Sequence, residues 1–398
     1  MTVPVSNATK GPPLWRVVLA AAFVQNVSTG LLFGTFGTIL FALEDWFRAD
    51  RGQSSLTISL AVLTLSLTAA WMGKVIGRRP LRAFMILGCV MSAAGFGLLS
   101  IANDVWQLWG IYLLLLGPGA GFCGVLAANT LAASWADDAS RGRALGWVNA
   151  PILVTIAPLA SEAGLTHLGL QGFFLICAVL PLLMIPAVMS VHERVPAVEG
   201  AGNAPKGKRI IFTGLLFLLV LIIGVISGGG MLKVSHMIPL VTAQGHSFSS
   251  ANWLISIAGL VGIFGSIIFG WIADRFGAAE ALATNAALQA ISWTILLIPV
   301  AYGWLILDAV IVGLCGGGLQ AVIGTLLARL FGMDNFSRIY GLLSLLTLPF
   351  LFGIPWFAGL LFVKSGGYFL PISLQIFAFL AAAVGALAVA RHQKQKVS

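Results

Sequence analysis

Residues 210–241 read IIFTGLLFLLVLIIGVISGGGMLKVSHMIPLV, an apolar run interrupted by one charged residue, Lys233, with His236 three positions later. A helix needs about 20 predominantly apolar residues to cross the hydrocarbon core of a bilayer, and this run has them. A cation near the centre of such a helix costs on the order of 3 kcal/mol on insertion scales, so it marks a polar site or an aqueous path rather than ordinary packing. Similar runs recur at roughly 16–43, 54–73, 83–103, 105–135, 144–161, 168–191, 250–273, 281–301, 303–328, 339–363 and 366–390. The chain is 59% hydrophobic and only 9% charged, with a mean hydropathy of +0.99, a balance that could not cover a water-soluble domain with polar groups. Membrane strands need only about 10 residues and alternate apolar with polar, whereas these runs are apolar on every side. The expected fold class is therefore all-α, a membrane protein with twelve transmembrane helices.

Charge placement predicts the orientation. With the N-terminus inside, all of the 22 Lys and Arg except Arg48, Arg51, Lys364 and Lys233 fall in inner segments, as the positive-inside rule requires. Both termini are then cytoplasmic, and the net charge of +9 is topological, with no nucleic-acid partner implied. The first apolar stretch has no small-residue cleavage site and is expected to be retained as a helix. Cys89, Cys123, Cys177 and Cys315 all lie within apolar runs without metal-ligand spacing, so neither a disulfide framework nor a metal site is expected.

The sequence HERVPAVEGAGNAPKGKR at 192–209 interrupts the apolar pattern with Pro, Gly and charge, dividing the chain into an N-terminal six-helix bundle (1–191), a cytoplasmic linker (192–209) and a C-terminal six-helix bundle (210–398). The halves repeat one another. Gly73 to Arg78 after span two answers Gly270-Trp-Ile-Ala-Asp274-Arg275-Phe-Gly277 after span eight. Arg143 and Gly146 answer Arg338 and Gly341, and Gly172-Phe-Phe-Leu175 answers Gly367-Tyr-Phe-Leu370. Such register indicates a parallel duplication of a six-helix unit.

These residues resemble the major facilitator superfamily over nearly the whole chain. The stretch FGTFGTILFALEDWFRADRGQSSLTIS after span one and HMIPLVTAQGHSFSSANWL after span seven look like its bacterial monocarboxylate and oxalate/formate antiporter branch. Three positions depart from that branch: Gly77 where the first-half loop normally has Asp, Ser266 where span eight often has Arg, and Thr38 in place of a span-one Lys. The resemblance implies a secondary transporter in a bacterial inner (plasma) membrane, working by alternating access as a monomer, without cofactor. It also implies that Gly73, Arg78, Gly270, Asp274, Arg275 and Gly277, with Arg143 and Arg338, latch the cytoplasmic side. Physically, Gly permits close helix approach, and Asp at a helix end can pair with Arg or cap a neighbouring helix.

Spans one, four, seven and ten line the cavity in this family, which makes Gln25, Thr35, Thr38 and Gln320 candidate substrate contacts, together with Asn149. Lys233 and His236 share a helix face at i and i+3 and are read as an unpaired cation for an anionic solute, with His236 donating a hydrogen bond or carrying a proton; the alternative is that Lys233 snorkels to the outer surface and His236 is an interfacial polar residue. Gly228, Gly229 and Gly230 are expected to let the helix unwind beside them. Asp308 and Glu162 are read as solvated carboxylates near outer helix ends, with a proton-coupling role for either as the alternative. Gly119-Ala-Gly121-Phe-Cys-Gly124 spells a dinucleotide-like GxGxxG, but it lies inside span four with no preceding strand and reads as helix packing. With no nucleotide motif and no nucleophile–base pair, the chain is expected to be a carrier and not an enzyme. Its substrate is expected to be a small organic anion moved with protons or against a counter-anion; efflux of neutral or lipophilic molecules is the alternative.

Overall fold

The computed structural model describes residues 13–49, 51–76, 80–191 and 214–397; the linker expected at 192–209 and the motif positions Gly77 and Arg78 lie outside them. Span one is α1 (Leu14–Thr29), a π-helical turn (Gly30–Gly34) and α2 (Phe36–Phe47). Spans two and three are α3 (Arg51–Val75) and α4 (Leu81–Leu99). Span four is built from α5 (Val105–Ile111), a second π turn (Tyr112–Leu116), α6 (Gly117–Cys123) and α7 (Val125–Trp135). Span five begins as α8 (Arg141–Asn149), breaks at Ala150 and Pro151, and continues into α9 (Ile152–Met189), which is itself broken at Gly169 (φ 68°, ψ 179°) to give span six.

The second half has longer uninterrupted helices: α10 (Gly214–Ala243), α11 (Phe248–Phe276), α12 (Ala278–Ile295) and α13 (Tyr302–Phe331). Span eleven is α14 (Met333–Leu346) and α15 (Leu348–Ser365), and span twelve is α16 (Phe369–Val397). Among the described residues ten helical stretches are long and apolar enough to cross a membrane. The two that fall short explain themselves. Span five is split by Pro151, and α12 dilutes its alanines with Glu280, Thr284, Asn285 and Gln289. The architecture is thus twelve helices in two pseudo-symmetric bundles.

Large apolar side chains cover the perimeter, among them Leu19, Phe217, Phe264 and Phe377, as a lipid-facing surface requires. Exposed Trp15, Trp71 and Trp271 form a belt at one end of the helices, and Trp106, Trp253 and Trp304 form one at the other. Close backbone approach is set by glycine. Gly262 and Gly317 bring α11 and α13 together so tightly that a Cβ on Gly317 would strike the Gly262 carbonyl. Gly228 and Gly229 do not unwind α10, which is helical throughout. They instead admit Phe350 of α15 and Gln375 of α16 against its backbone, so the expected unwinding is corrected to packing.

Candidate functional site

The end of the molecule that carries the duplicated loops is closed by two pseudo-equivalent crossings between the halves. In one, Gly142 and Gly146 of α8 meet Gly270 and Ser266 of α11. A Cβ on Gly142 would strike the Gly270 carbonyl, and Ser266 Oγ donates to the Gly146 carbonyl at 2.6 Å. In the other, Gly73 and Ala69 of α3 meet Ser337 and Gly341 of α14. Ser266, where the branch often has Arg, is wholly buried in this seam and faces no cavity.

Asp274 ties the first crossing. Its carboxylate accepts the backbone N–H of Gly142 at 2.6 Å and of Arg143 at 2.8 Å, capping the N-terminus of α8 from the opposite half. The Arg143 and Arg329 guanidinium groups lie 3.5 and 3.8 Å from the same carboxylate. Arg329 also donates to the Ala273 carbonyl at 3.0 Å and to the Asp138 carbonyl at 3.1 Å, crossing the seam again. In the adjoining loop Ser140 donates to Asp137 and holds that carboxyl below the usual carboxylate range. Other motif residues stand apart. Arg275 is exposed and stacks over Trp271 and Phe276 at 5.4 and 5.7 Å, Arg338 is exposed on α14, and Gly277 (φ 112°) makes the turn into α12.

Above this seam a cleft of about 250 Å³ lies between the halves. Its polar lining is uncharged: Thr29, Ser66, Ser227, Gln320, Tyr340 and Thr347, among apolar residues such as Phe33 and Ile323. A chain of hydrogen bonds forms its floor. Gln25 Nε2 donates to Asn149 Oδ1 at 2.8 Å, Asn149 Nδ2 to Asn129 Oδ1 at 2.7 Å, and Asn129 Nδ2 to the Tyr340 hydroxyl at 3.4 Å. Tyr340 in turn donates to Gln320 Oε1 at 2.7 Å. Of the residues expected to touch substrate, Gln320 lines the cleft, while Gln25 and Asn149 lie buried beneath it. Tyr340 was not anticipated, since a tyrosine among apolar residues reads as packing.

Thr35 and Thr38 are absent from the lining: counted at about 100° per residue from the cleft-lining Thr29, they lie about 240° and 180° around a regular helix, whereas Phe33 returns to the face of Thr29. The Thr35 hydroxyl donates to the Leu31 carbonyl at 2.7 Å.

Lys233 and His236 also turn away. Counting about 100° per residue from the cleft-lining Ser227, Lys233 lies about 240° and His236 about 180° around α10. Lys233 is buried in the second half, where its Nζ meets Asp308 Oδ1 at 2.5 Å and Ser292 Oγ at 2.9 Å, and lies 4.8 Å from the centre of the Trp293 ring. Ser292 Oγ donates to the same Asp308 oxygen at 2.5 Å. This corrects two expectations. The lysine is not unpaired, and Asp308 is not solvated, being fully buried with its Oδ2 lacking any hydrogen-bond partner. The physical reason is packing: α10, α12 and α13 converge, and the buried ammonium is held there by its hydrogen bonds to Asp308 and Ser292. His236 Nδ1 lies 3.2 Å from the Tyr368 hydroxyl. Lys233, His236, Trp293 and Tyr368 line a separate small cavity, with room for about one water. Among the described residues no group of three or more His, Cys, Asp or Glu could hold a metal ion.

Comparison with known proteins accords with this geometry. The chain is 25% identical to monocarboxylate transporter 12-B of Danio rerio, with 96% of this chain and 89% of that one aligned. It is likewise 25% identical to monocarboxylate transporter 6 of Homo sapiens, covering 93% of this chain and 79% of the other. The fold matches the fucose:proton symporter of E. coli in its outward conformation with a TM-score of 0.74 at 14% identity, over 93% of this chain and 98% of that one. It also matches a bacterial homologue of the iron transporter ferroportin in an outward-facing state with a TM-score of 0.71 at 13% identity, over 95% of this chain and 99% of that one. The Major Facilitator Superfamily profile matches residues 18–285 and 220–398. The chain is a transporter and not an enzyme, and it belongs to the Major Facilitator Superfamily.

Proposed function

We propose that this is a secondary transporter of small organic acids of the monocarboxylate class, moved as the anion together with a proton, through the cleft between the two halves. The carrying observation is the uncharged hydrogen-bonding lining of that cleft. Gln320, Tyr340, Ser227 and Thr29 can bind a carboxylate through hydroxyl and amide groups, but no lining residue neutralises its charge. Transfer of a bare anion through a low-dielectric passage is costly, so a carboxylate crosses this cleft economically only when a proton travels with it. The alignment with monocarboxylate transporters over most of both chains supports that substrate class. Exchange against a second anion satisfies the same electrical requirement.

The positive-inside distribution supports a plasma-membrane orientation with both termini cytoplasmic. The seam tied by Asp274 is then the cytoplasmic gate, and its closure corresponds to an outward-facing conformation. The apolar walls, with Phe33, Ile323 and Leu343, favour a second reading in which neutral lipophilic molecules are exported. Uptake into proteoliposomes separates the two. Under a gradient acid on the outside, lactate, pyruvate or benzoate should accumulate well above equilibrium with no net charge movement. Equal uptake with and without the gradient, combined with competition by uncharged lipophiles, would favour the second.

A further inference from the structure

Lys233 and Asp308 form a buried ion pair that the cleft does not use, and one oxygen of that pair is left over. Asp308 Oδ1 takes both available donors, Lys233 Nζ and Ser292 Oγ, while Oδ2 is buried without a partner. A carboxylate oxygen with nothing to accept, within the membrane, is a place for a proton. The neighbouring cavity reaches Lys233 on one side and His236 and Tyr368 on the other. His236 is half-buried and hydrogen-bonded to the Tyr368 hydroxyl near the end of the helices opposite the Asp274 seam. The lysine end of the pair therefore borders a small, largely apolar cavity on the side of His236 and Tyr368.

We propose that Asp308 is the proton-binding site of the transport cycle, with Lys233 as the positioning residue that holds its carboxyl. This rests on the reading of the protein as an organic-acid and proton carrier. Outer water delivers H⁺ to Asp308 Oδ2, forming the O–H bond there. Lys233 remains an ammonium bonded to Oδ1 and Ser292, and the pair passes from neutral to a charge of +1. The same O–H bond breaks toward the opposite face after the halves have rocked. The cleft lies across α10, about one helix diameter away, close enough for charges to interact through a poorly screening medium.

Only two loading states then leave the passage electrically neutral: both sites empty, or proton and carboxylate both bound. A proton alone leaves +1 beside the membrane interior, and a carboxylate alone leaves −1 in an uncharged cleft. Coupling follows from that balance without contact between the two ligands. The groups around Asp308 do not supply an alternative. Lys233 and His236 come from α10, Cys315 from α13 itself and Tyr368 from the turn into α16, while α12 contributes Ser292 and Trp293. The charges of α8, α11 and α14 (Arg141, Arg143, Asp274, Arg275, Asp334 and Arg338) stand at the opposite end of the bundle.

Infrared difference spectra of the purified protein in liposomes, acid minus neutral, test the site without any substrate. A distinct carbonyl-stretch component of a buried protonated carboxyl should appear in the wild type beside the band of the exposed carboxyls, and that component should be missing from Asp308→Asn. Its persistence in that variant, or its absence from the wild type, overturns the assignment. Transport of benzoate supplies the second arm. Asp308→Asn should lose accumulation driven by a pH gradient by at least tenfold. Because Asp308→Asn leaves Lys233 buried and unpaired, Lys233→Met with Asp308→Leu is the companion that removes both charges without that penalty. Wild-type accumulation by this double variant would reduce the pair to a structural one and sink the inference alone. Failure of the wild type to respond to a pH gradient would sink the organic-acid reading, and this inference with it.

Discussion

Replacing Asp274 by Asn should open the seam on the loop-motif face. The carboxylate accepts two backbone N–H groups of α8, from Gly142 and Arg143 at 2.6 and 2.8 Å, beside two guanidinium groups. Hydrogen bonds to a charged group contribute about 1.5–3 kcal/mol each, and the interaction with a helix N-terminus adds up to about 1 kcal/mol. Asparagine keeps one accepting oxygen but loses the charge, so the net loss is about 2–3 kcal/mol of closure free energy. At 1.4 kcal/mol per factor of ten, the closed-to-open ratio should fall about 30- to 150-fold. Spin labels on cysteines introduced at exposed Ala139 and Asp334, one on each half, would report the change as a longer distance population; the four native cysteines are buried. Arg275→Ala is the control, since Arg275 stacks on Trp271 and Phe276 away from the seam and should leave the distance unchanged. An unaltered distance distribution in Asp274→Asn, or an equal shift in Arg275→Ala, would refute this account of the gate.

Gly142→Val should prevent closure outright, because even a Cβ there would strike the Gly270 carbonyl; the same label pair should then show the open population dominating. Asn149→Leu leaves the donor of Gln25 and an acceptor of Asn129 unpaired beneath the cleft, so the midpoint of thermal unfolding should fall, by an amount corresponding to about 1–3 kcal/mol per orphaned group. Gln320→Leu keeps the volume but removes the acceptor for Tyr340, and should raise KM for the best-transported acid several-fold at normal expression; an unchanged KM would remove Gln320 from the substrate site.

The duplication made the seam between the halves legible. Gly73 and Gly270, and Gly146 and Gly341, occur in matched register in the two halves, and these residues let the backbones of α3 and α14, and of α8 and α11, touch. A carboxylate in a short loop at a helix end has few uses besides pairing and capping, so Asp274 was readable too. Lys233 was visible as an anomaly, but its partner was not. Asp308 lies 75 residues away, and its position six residues after the first residue of α13 reads as interfacial until the packing of α10, α12 and α13 is known. Thr35 and Thr38 were placed in the cavity by span alone, and counting around the helix from Thr29 puts them on other faces while Phe33 shares its face. The network from Gln25 to Gln320 was hidden because each member alone resembles an ordinary interhelical hydrogen bond, and only the fold joins spans one, five, four, eleven and ten into one chain.

The two charged clusters differ in what rocking would do to them. Asp274 on α11 caps α8 across the boundary between halves, so its bonds must break and reform in every alternation, and the helix pair it joins sets the closing energy. Lys233, Ser292 and Asp308 all belong to α10, α12 and α13 of one half, so rigid-body motion of that half leaves their distances unchanged. A cluster that the motion does not strain can contribute to the cycle only by changing its own charge. In the proposed cycle Asp274 would answer to mechanics and Asp308 to protonation, which would put the gate and the coupling group at opposite ends of the same transporter.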